Sequence, residues 1–109
     1  MTVLAAPRVK VPERASSGEL ITLKALLRHR MDSGHRIDRD GRPIPRRIIN
    51  RFIATFDDEL LFSATLGPST AANPFLEFTA RLTRSGTVRF LWIEDGGATV
   101  SVERTITVT

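Results

Sequence analysis

His29 and His35 are the only imidazoles in the chain, and Asp32, Asp38 and Asp40 stand close to them in sequence. Imidazole and carboxylate in one short segment could ligate a divalent metal or exchange protons. The five residues between the histidines match no common zinc spacing, and the arginines crowding the same segment would repel a cation. On the residues alone both histidines read as solvated loop side chains. A serine–histidine–carboxylate triad would need a strand–turn–helix elbow of the G-x-S-x-G kind, and none is present. Gly34 and Gly41 are isolated and Gly96-Gly97 sits in a turn, so no phosphate-cradling glycine loop is formed either. The absence of cysteine excludes disulfides, thiolate zinc sites, iron–sulfur clusters and cysteine nucleophiles. The expectation is a protein that is not an enzyme and carries no metal or cofactor.

The stronger chemical signal is arginine. From Arg28 to Arg51 inclusive the chain carries eight arginines, with Arg30, Arg36, Arg39, Arg42, Arg46 and Arg47 between those two, against only Asp32, Asp38 and Asp40; this net +5 accounts for the chain's whole formal excess of +4. Arginine favours planar, bidentate recognition of carboxylate-like or phosphate-like groups, and the sequence pI near 11.0 suits an anionic partner. Nucleic acid is one such partner, and a basic β-sandwich domain binding nucleic acid or another anion is the alternative reading. Single-strand binders interleave aromatic rings for base stacking, however, and apart from the histidines none stands between Arg28 and Arg51. The six phenylalanines fall at strand positions that alternate into a core.

Protein recognition fits better. In Arg46-Arg47-Ile48-Ile49-Asn50-Arg51 apolar residues are flanked by arginine, which is enriched at protein interfaces. Pro43 and Pro45 stiffen the approach and lower the ordering cost of docking. Asn73-Pro74-Phe75 offers a second rigid corner with an aromatic. Arg46, Ile48, Ile49 and Asn50, with Asn73 and Phe75, are therefore the candidate partner-binding or loop-defining residues. For each, a core or turn role is the competing reading.

The elements that would position these residues are strands. Apolar residues alternate with period two through most of the chain. In Glu19–His29 the set Ile21, Leu23, Ala25 and Leu27 shares one face; LITLKALLR contains good helix formers, but the alternation and the Ser17-Gly18 turn favour a strand. Arg47–Phe56 aligns Ile48, Phe52, Ala54 and Phe56, and Asp57-Asp58 then makes a tight hairpin into Glu59–Leu66. Phe75–Thr83 turns Phe78, Ala80 and Leu82 inward, Thr87–Ile93 does the same with Val88, Phe90 and Trp92, and Ala98–Val108 with Val100, Val102, Ile106 and Val108. With Arg8–Val11 this predicts about seven strands in one all-β, immunoglobulin-like antiparallel β-sandwich domain over residues 1–109. The 109 residues are too few for two independent cores. The segment joining the second and third strands is longer than the roughly 12–15 residues usual for a loop, which points to function or disorder. The β-prone run VSVERTITVT would make an edge that favours a permanent partner.

No apolar run approaches the roughly 18–20 residues that span a bilayer, so no membrane association is expected. MTVLAAPRVKVPERA lacks a basic stretch ahead of its apolar residues, and Thr2 to Ala6 is too brief for a signal-peptide core. Taken alone, this reads as cytoplasm, or as export together with another chain.

Several segments resemble one family, the Z subunit of the periplasmic sulfur-oxidising (Sox) multienzyme system. They are His29-x-Met31 followed by Ser33-Gly34, Gly41-x-Pro43-Ile44-Pro45-Arg46, and Ile48-Ile49-Asn50-x-Phe52. Phe62-Ser63-Ala64, Ala72-Asn73-Pro74-Phe75, Ser85-Gly86-Thr87 and Trp92 before an acidic turn continue the series in order. Arg30, Thr65 and Gly67 stand where the family commonly has proline, aspartate and histidine, and Asp57-Asp58 replaces its usual asparagine–glycine turn. The resemblance implies a non-catalytic immunoglobulin-like subunit that forms a heterodimer with a Y subunit. The Y chain carries sulfur intermediates of thiosulfate oxidation on a cysteine in a flexible, glycine-ended C-terminal arm, while other Sox enzymes dock transiently and process them. It also implies a periplasmic location reached by export with the Y chain. Under this reading Arg36, Arg39, Arg42 and Arg47 would create a positive field that steers the anionic sulfur groups.

Overall fold

The alternating segments form strands because each can bury one face and leave the other to solvent. In the computed structural model, which describes residues 4–109, these strands are β1 (Arg8–Lys10), β2 (Arg14–Ala15), β3 (Leu20–Leu26), β4 (Ile49–Phe56), β5 (Glu59–Thr65), β6 (Phe75–Arg81), β7 (Gly86–Glu94) and β8 (Thr99–Val108). Thr2 and Val3, part of the short N-terminal apolar stretch, lie outside the described residues. No helix of the structure is long and apolar enough to cross a membrane.

A three-stranded sheet of order β1-β3-β6 packs on a five-stranded sheet of order β2-β8-β7-β4-β5, giving an immunoglobulin-like sandwich. All pairings are antiparallel except β2 with β8. The strand β2 is the addition to the seven expected: two residues carry no periodic signal, and Arg14 and Ala15 pair with Thr107 and Val108 only once the fold brings β8 alongside.

Aromatic rings fasten the two sheets. Phe78 of β6 stacks on Phe62 of β5 at 4.7 Å between centroids and meets Phe52 of β4 edge-on at 6.3 Å, while Phe52 and Trp92 of β7 pack edge-on at 5.1 Å within the larger sheet. Phe52, Phe90 and Trp92 are fully buried, in the layer with Leu23, Leu27 and Ile106. Burying each of these rings contributes several kcal/mol. Phe75 departs from the expected alternation into the core: it opens β6 on the outer face and remains 57% exposed.

Two irregularities matter for the site. Asp57 and Asp58 have φ of 47° and 73°, the left-handed pair of a two-residue hairpin turn, as the sequence predicts. The β4–β7 register shifts between Ile49 and Arg51, and this lets adjacent residues Ile48 and Ile49 both be buried, which period two alone forbids. Residues 27–48, between β3 and β4, are folded back on themselves by isolated bridges between Asp32 and Arg47 and between Ile37 and Pro43.

Candidate functional site

Beyond β3 the chain needs partners for backbone groups that leave the ladder. Leu27 N–H donates to Pro74 C=O, and His29 is then gripped by Asn73. Asn73 adopts φ 55°, a conformation asparagine tolerates, and its Oδ1 accepts the His29 N–H at 3.0 Å while its own N–H donates to His29 C=O at 2.8 Å. Met31, at φ 54°, turns back so that its N–H donates to His29 Nδ1 at 2.9 Å. With Nδ1 accepting, the neutral ring carries its proton on Nε2, which lies 2.6 Å from Glu94 Oε2 at the end of β7.

This pair is nearly closed to solvent: the His29 and Glu94 side chains are 6% and 3% exposed. The expectation of two solvated histidines is therefore corrected for His29. Its partner stands 65 positions away, and only the sandwich brings β7 beneath the loop. His35 is exposed. The other Glu94 oxygen lies 3.5 Å from Arg47 Nε.

A second carboxylate anchors the return of the loop. Asp95, in the β7–β8 turn, accepts from Arg46 Nε at 2.9 Å and Nη2 at 3.2 Å, from Ile48 N–H at 3.2 Å and from Asn50 Nδ2 at 3.1 Å. The bidentate Arg46 guanidinium does most to hold the Asp95 carboxyl down at about 2; partial burial opposes this, and the Asn50 and Ile48 donors add to it. The same contact raises Arg46 above its ordinary value. Asp32 and Arg47 exchange backbone hydrogen bonds at 3.0 and 2.8 Å, and Gly34, at φ 88°, lies so close to Arg46 that an added Cβ would stand 3.1 Å from the Arg46 Cβ. Met31 Sδ accepts the Ile49 N–H at 3.3 Å where β4 shifts register.

The sequence-derived candidates thus separate. Arg46 and Asn50 converge on Asp95, and Asn73 fixes His29. Ile48 and Ile49 have no exposed surface, so their side chains belong to this chain's core and are closed to a partner. Phe75 lies apart on the outer face of the smaller sheet, beside Lys24 and Leu26. Of the candidate steering arginines, Arg47 reaches the Glu94 carboxylate and Arg36 pairs with Asp32 at 3.0 Å, while Arg39 and Arg42 lie in the exposed hairpin closed by Ile37 and Pro43.

Above the His29–Glu94 pair opens a cleft of about 470 Å³. Arg28, Arg30 and Arg47 line it together with Asp32, and Leu4 and Ala5 form an apolar wall. Arg28 and Arg30 were not singled out among the loop's arginines; their only signal was position, flanking the histidine that Asn73 holds. Among the described residues no group of three or more histidine, cysteine or carboxylate side chains is disposed to hold a metal. The arrangement is suited to holding an anion and to fixing a loop.

A family model described as sulphur oxidation protein SoxZ matches residues 9–105. No curated protein sequence matches the chain closely enough to count as a relative. Among solved structures the fold is similar to superoxide reductase (neelaredoxin) from Ignicoccus hospitalis, with TM-score 0.77 and 15% identity over 97% of this chain and 82% of that one. It is also similar to the sulfur carrier protein SoxY from Chlorobium limicola f thiosulfatophilum, with TM-score 0.68 and 14% identity over 96% and 80%. A putative superoxide reductase from Thermotoga maritima gives TM-score 0.72 and 15% identity over 95% and 86%. At such identities the likeness is one of fold.

Proposed function

The chain belongs to the SoxZ family and so to the Sox sulfur-oxidation system, and from that premise we propose that it is the non-catalytic partner of a SoxY-type carrier chain. Its work is to bind and position the carrier, whose cysteine arm holds the covalent sulfur intermediates, and to present the complex to the enzymes that dock on it. The location that goes with this role is the periplasm, reached together with the carrier.

The observation that carries this reading is where the family's segments meet. His29-x-Met31, Arg46, Ile48-Ile49-Asn50, Asn73-Pro74 and the acidic turn after Trp92 come from distant parts of the sequence and join in one hydrogen-bonded cluster at one end of the sandwich. A cluster that spends this many specific contacts on shaping one loop is suited to presenting a defined surface. Arg36, Arg39 and Arg42 on the exposed part of that loop supply the steering field, and Phe75 an additional apolar contact.

Affinity purification of the full chain from its native host, followed by mass spectrometry and native mass measurement, tests the proposal. The expected result is a one-to-one complex with a chain bearing a cysteine in a glycine-rich C-terminal arm. Recovery of the chain without such a partner, or bound to nucleic acid with affinity that falls steeply with salt, would overturn it.

A further inference from the structure

We propose that the cleft lined by Arg28, Arg30 and Arg47 over the buried His29–Glu94 pair is a binding site for a tetrahedral sulfur oxyanion, either free or as the terminal sulfonate of a longer group. The choice of sulfur rests on the proposed function; the oxyanion site rests on the cleft itself.

The cleft's carboxylates are already engaged, Glu94 by Arg47 as well as His29, which leaves chiefly the Arg28 and Arg30 guanidinium groups to define its chemistry. Glu94 holds His29 at 2.6 Å, and Asp32 holds Arg36 at 3.0 Å. Arg28 has no hydrogen bond or ion pair among the described residues, and Arg30 reaches Asp32 only at 3.9 Å with 73% of its side chain exposed. Each guanidinium offers five N–H donors and no acceptor, a fork that suits an oxyanion better than a point charge would. The volume of about 470 Å³ exceeds what one small oxyanion needs, and Leu4 and Ala5 give the remaining space an apolar side. A polarizable sulfur or short aliphatic stem behind a sulfonate matches that combination.

The backbone around the cleft is fixed before any ligand arrives. Asn73 holds His29, the residue between Arg28 and Arg30, and the Asp32–Arg47 bridge holds the opposite side. Ordering costs on binding then fall mainly on the arginine side chains. Arg39 and Arg42 carry the same charge but line no part of this cleft. That difference separates a built site from a diffuse field.

The test uses the full chain at constant ionic strength. Thiosulfate is titrated while the arginine Nε–H and His29 imidazole resonances are followed by NMR, with sulfate and chloride as comparisons. A second arm titrates a short glycine-flanked peptide carrying S-sulfocysteine, and its thiol form. The expected result is saturable shifts at Arg28, Arg30 and Arg47, with affinity falling about tenfold or more in Arg28→Gln/Arg30→Gln and less than about threefold in Arg39→Gln/Arg42→Gln. Tighter binding of the sulfonated peptide than of thiosulfate identifies a sulfonate on a longer group; the reverse identifies the free anion. Non-saturable shifts, or equal losses in the two double variants, would overturn the site. Because the full chain is titrated without its carrier, a stable carrier complex without saturable anion binding sinks this inference alone. Saturable binding without any carrier partner sinks the carrier reading and leaves the oxyanion site standing.

Discussion

Asn73 and His29 hold each other through two hydrogen bonds of opposite sense, side chain to backbone at 3.0 Å and backbone to backbone at 2.8 Å. Asn73 combines a left-handed backbone, which asparagine and aspartate tolerate better than most residues, with a side-chain acceptor aimed at the continuation of β3.

Replacing Asn73 should separate those two contributions. Asn73→Gly keeps the φ of 55° accessible and loses only the acceptor, for about 1 kcal/mol. Asn73→Ala adds the left-handed strain and should lose about 2–3 kcal/mol. Urea denaturation of both variants measures the difference, and equal losses would show that backbone strain contributes nothing.

The His29–Glu94 pair should behave as a buried, coupled unit. His29→Ala leaves the Glu94 carboxylate buried without its closest donor and should cost about 3–5 kcal/mol, whereas Glu94→Gln retains an acceptor for Nε2–H and should cost about 1–2 kcal/mol. A double-mutant cycle measures the coupling. Nitrogen NMR of the neutral ring should show Nδ1 unprotonated and Nε2 protonated; the opposite tautomer would contradict the Met31 and Glu94 contacts.

Asp95 gives the molecule an acid-sensitive clamp. Its folded-state value of about 2 lies below that of an unfolded aspartate, so its contribution is fully present above about pH 4 and is lost as pH falls from there towards 2. Allowing for solvent screening, the contribution is on the order of 1–2 kcal/mol. Thermal melts of the wild type and Asp95→Asn should differ at pH 6 and converge as pH is lowered towards 2. A gap that stays constant over that range would remove the clamp from the account.

Gly34→Ala should loosen the loop without unfolding the sandwich. The φ of 88° disfavours any side chain, and the new Cβ would meet Arg46 at 3.1 Å. Hydrogen exchange at the Asp32 and Arg47 amides should accelerate by about tenfold or more, while amides in β3 and β7 stay protected. Unchanged exchange at Asp32 and Arg47 would show that the close approach is dispensable.

The strands were legible because burial on one face imposes period two, which is plain from Val88 to Trp92 and which outweighs the good helix formers from Ile21 to Leu27. The Asp57-Asp58 hairpin was legible from local turn chemistry. What could not be read was long-range. The Ile49–Arg51 register shift depends on β7 lying beside β4, and it hides a second isoleucine that alternation would place outside. His29 looks like a loop histidine until Glu94 is brought beneath it, and Asp95 like a turn residue until Arg46, Ile48 and Asn50 return to it. The family segments were individually visible, but their meeting at one end of the sandwich was not.

The Asp95 clamp also has a mechanical consequence. The exposed hairpin bearing Arg39 and Arg42 is tied to the sandwich through the Asp32–Arg47 bridge and then through Asp95, with little slack chain between them. A load applied at the hairpin tip therefore falls first on the Asp32–Arg47 bridge, whose two residues line the arginine cleft together with Glu94.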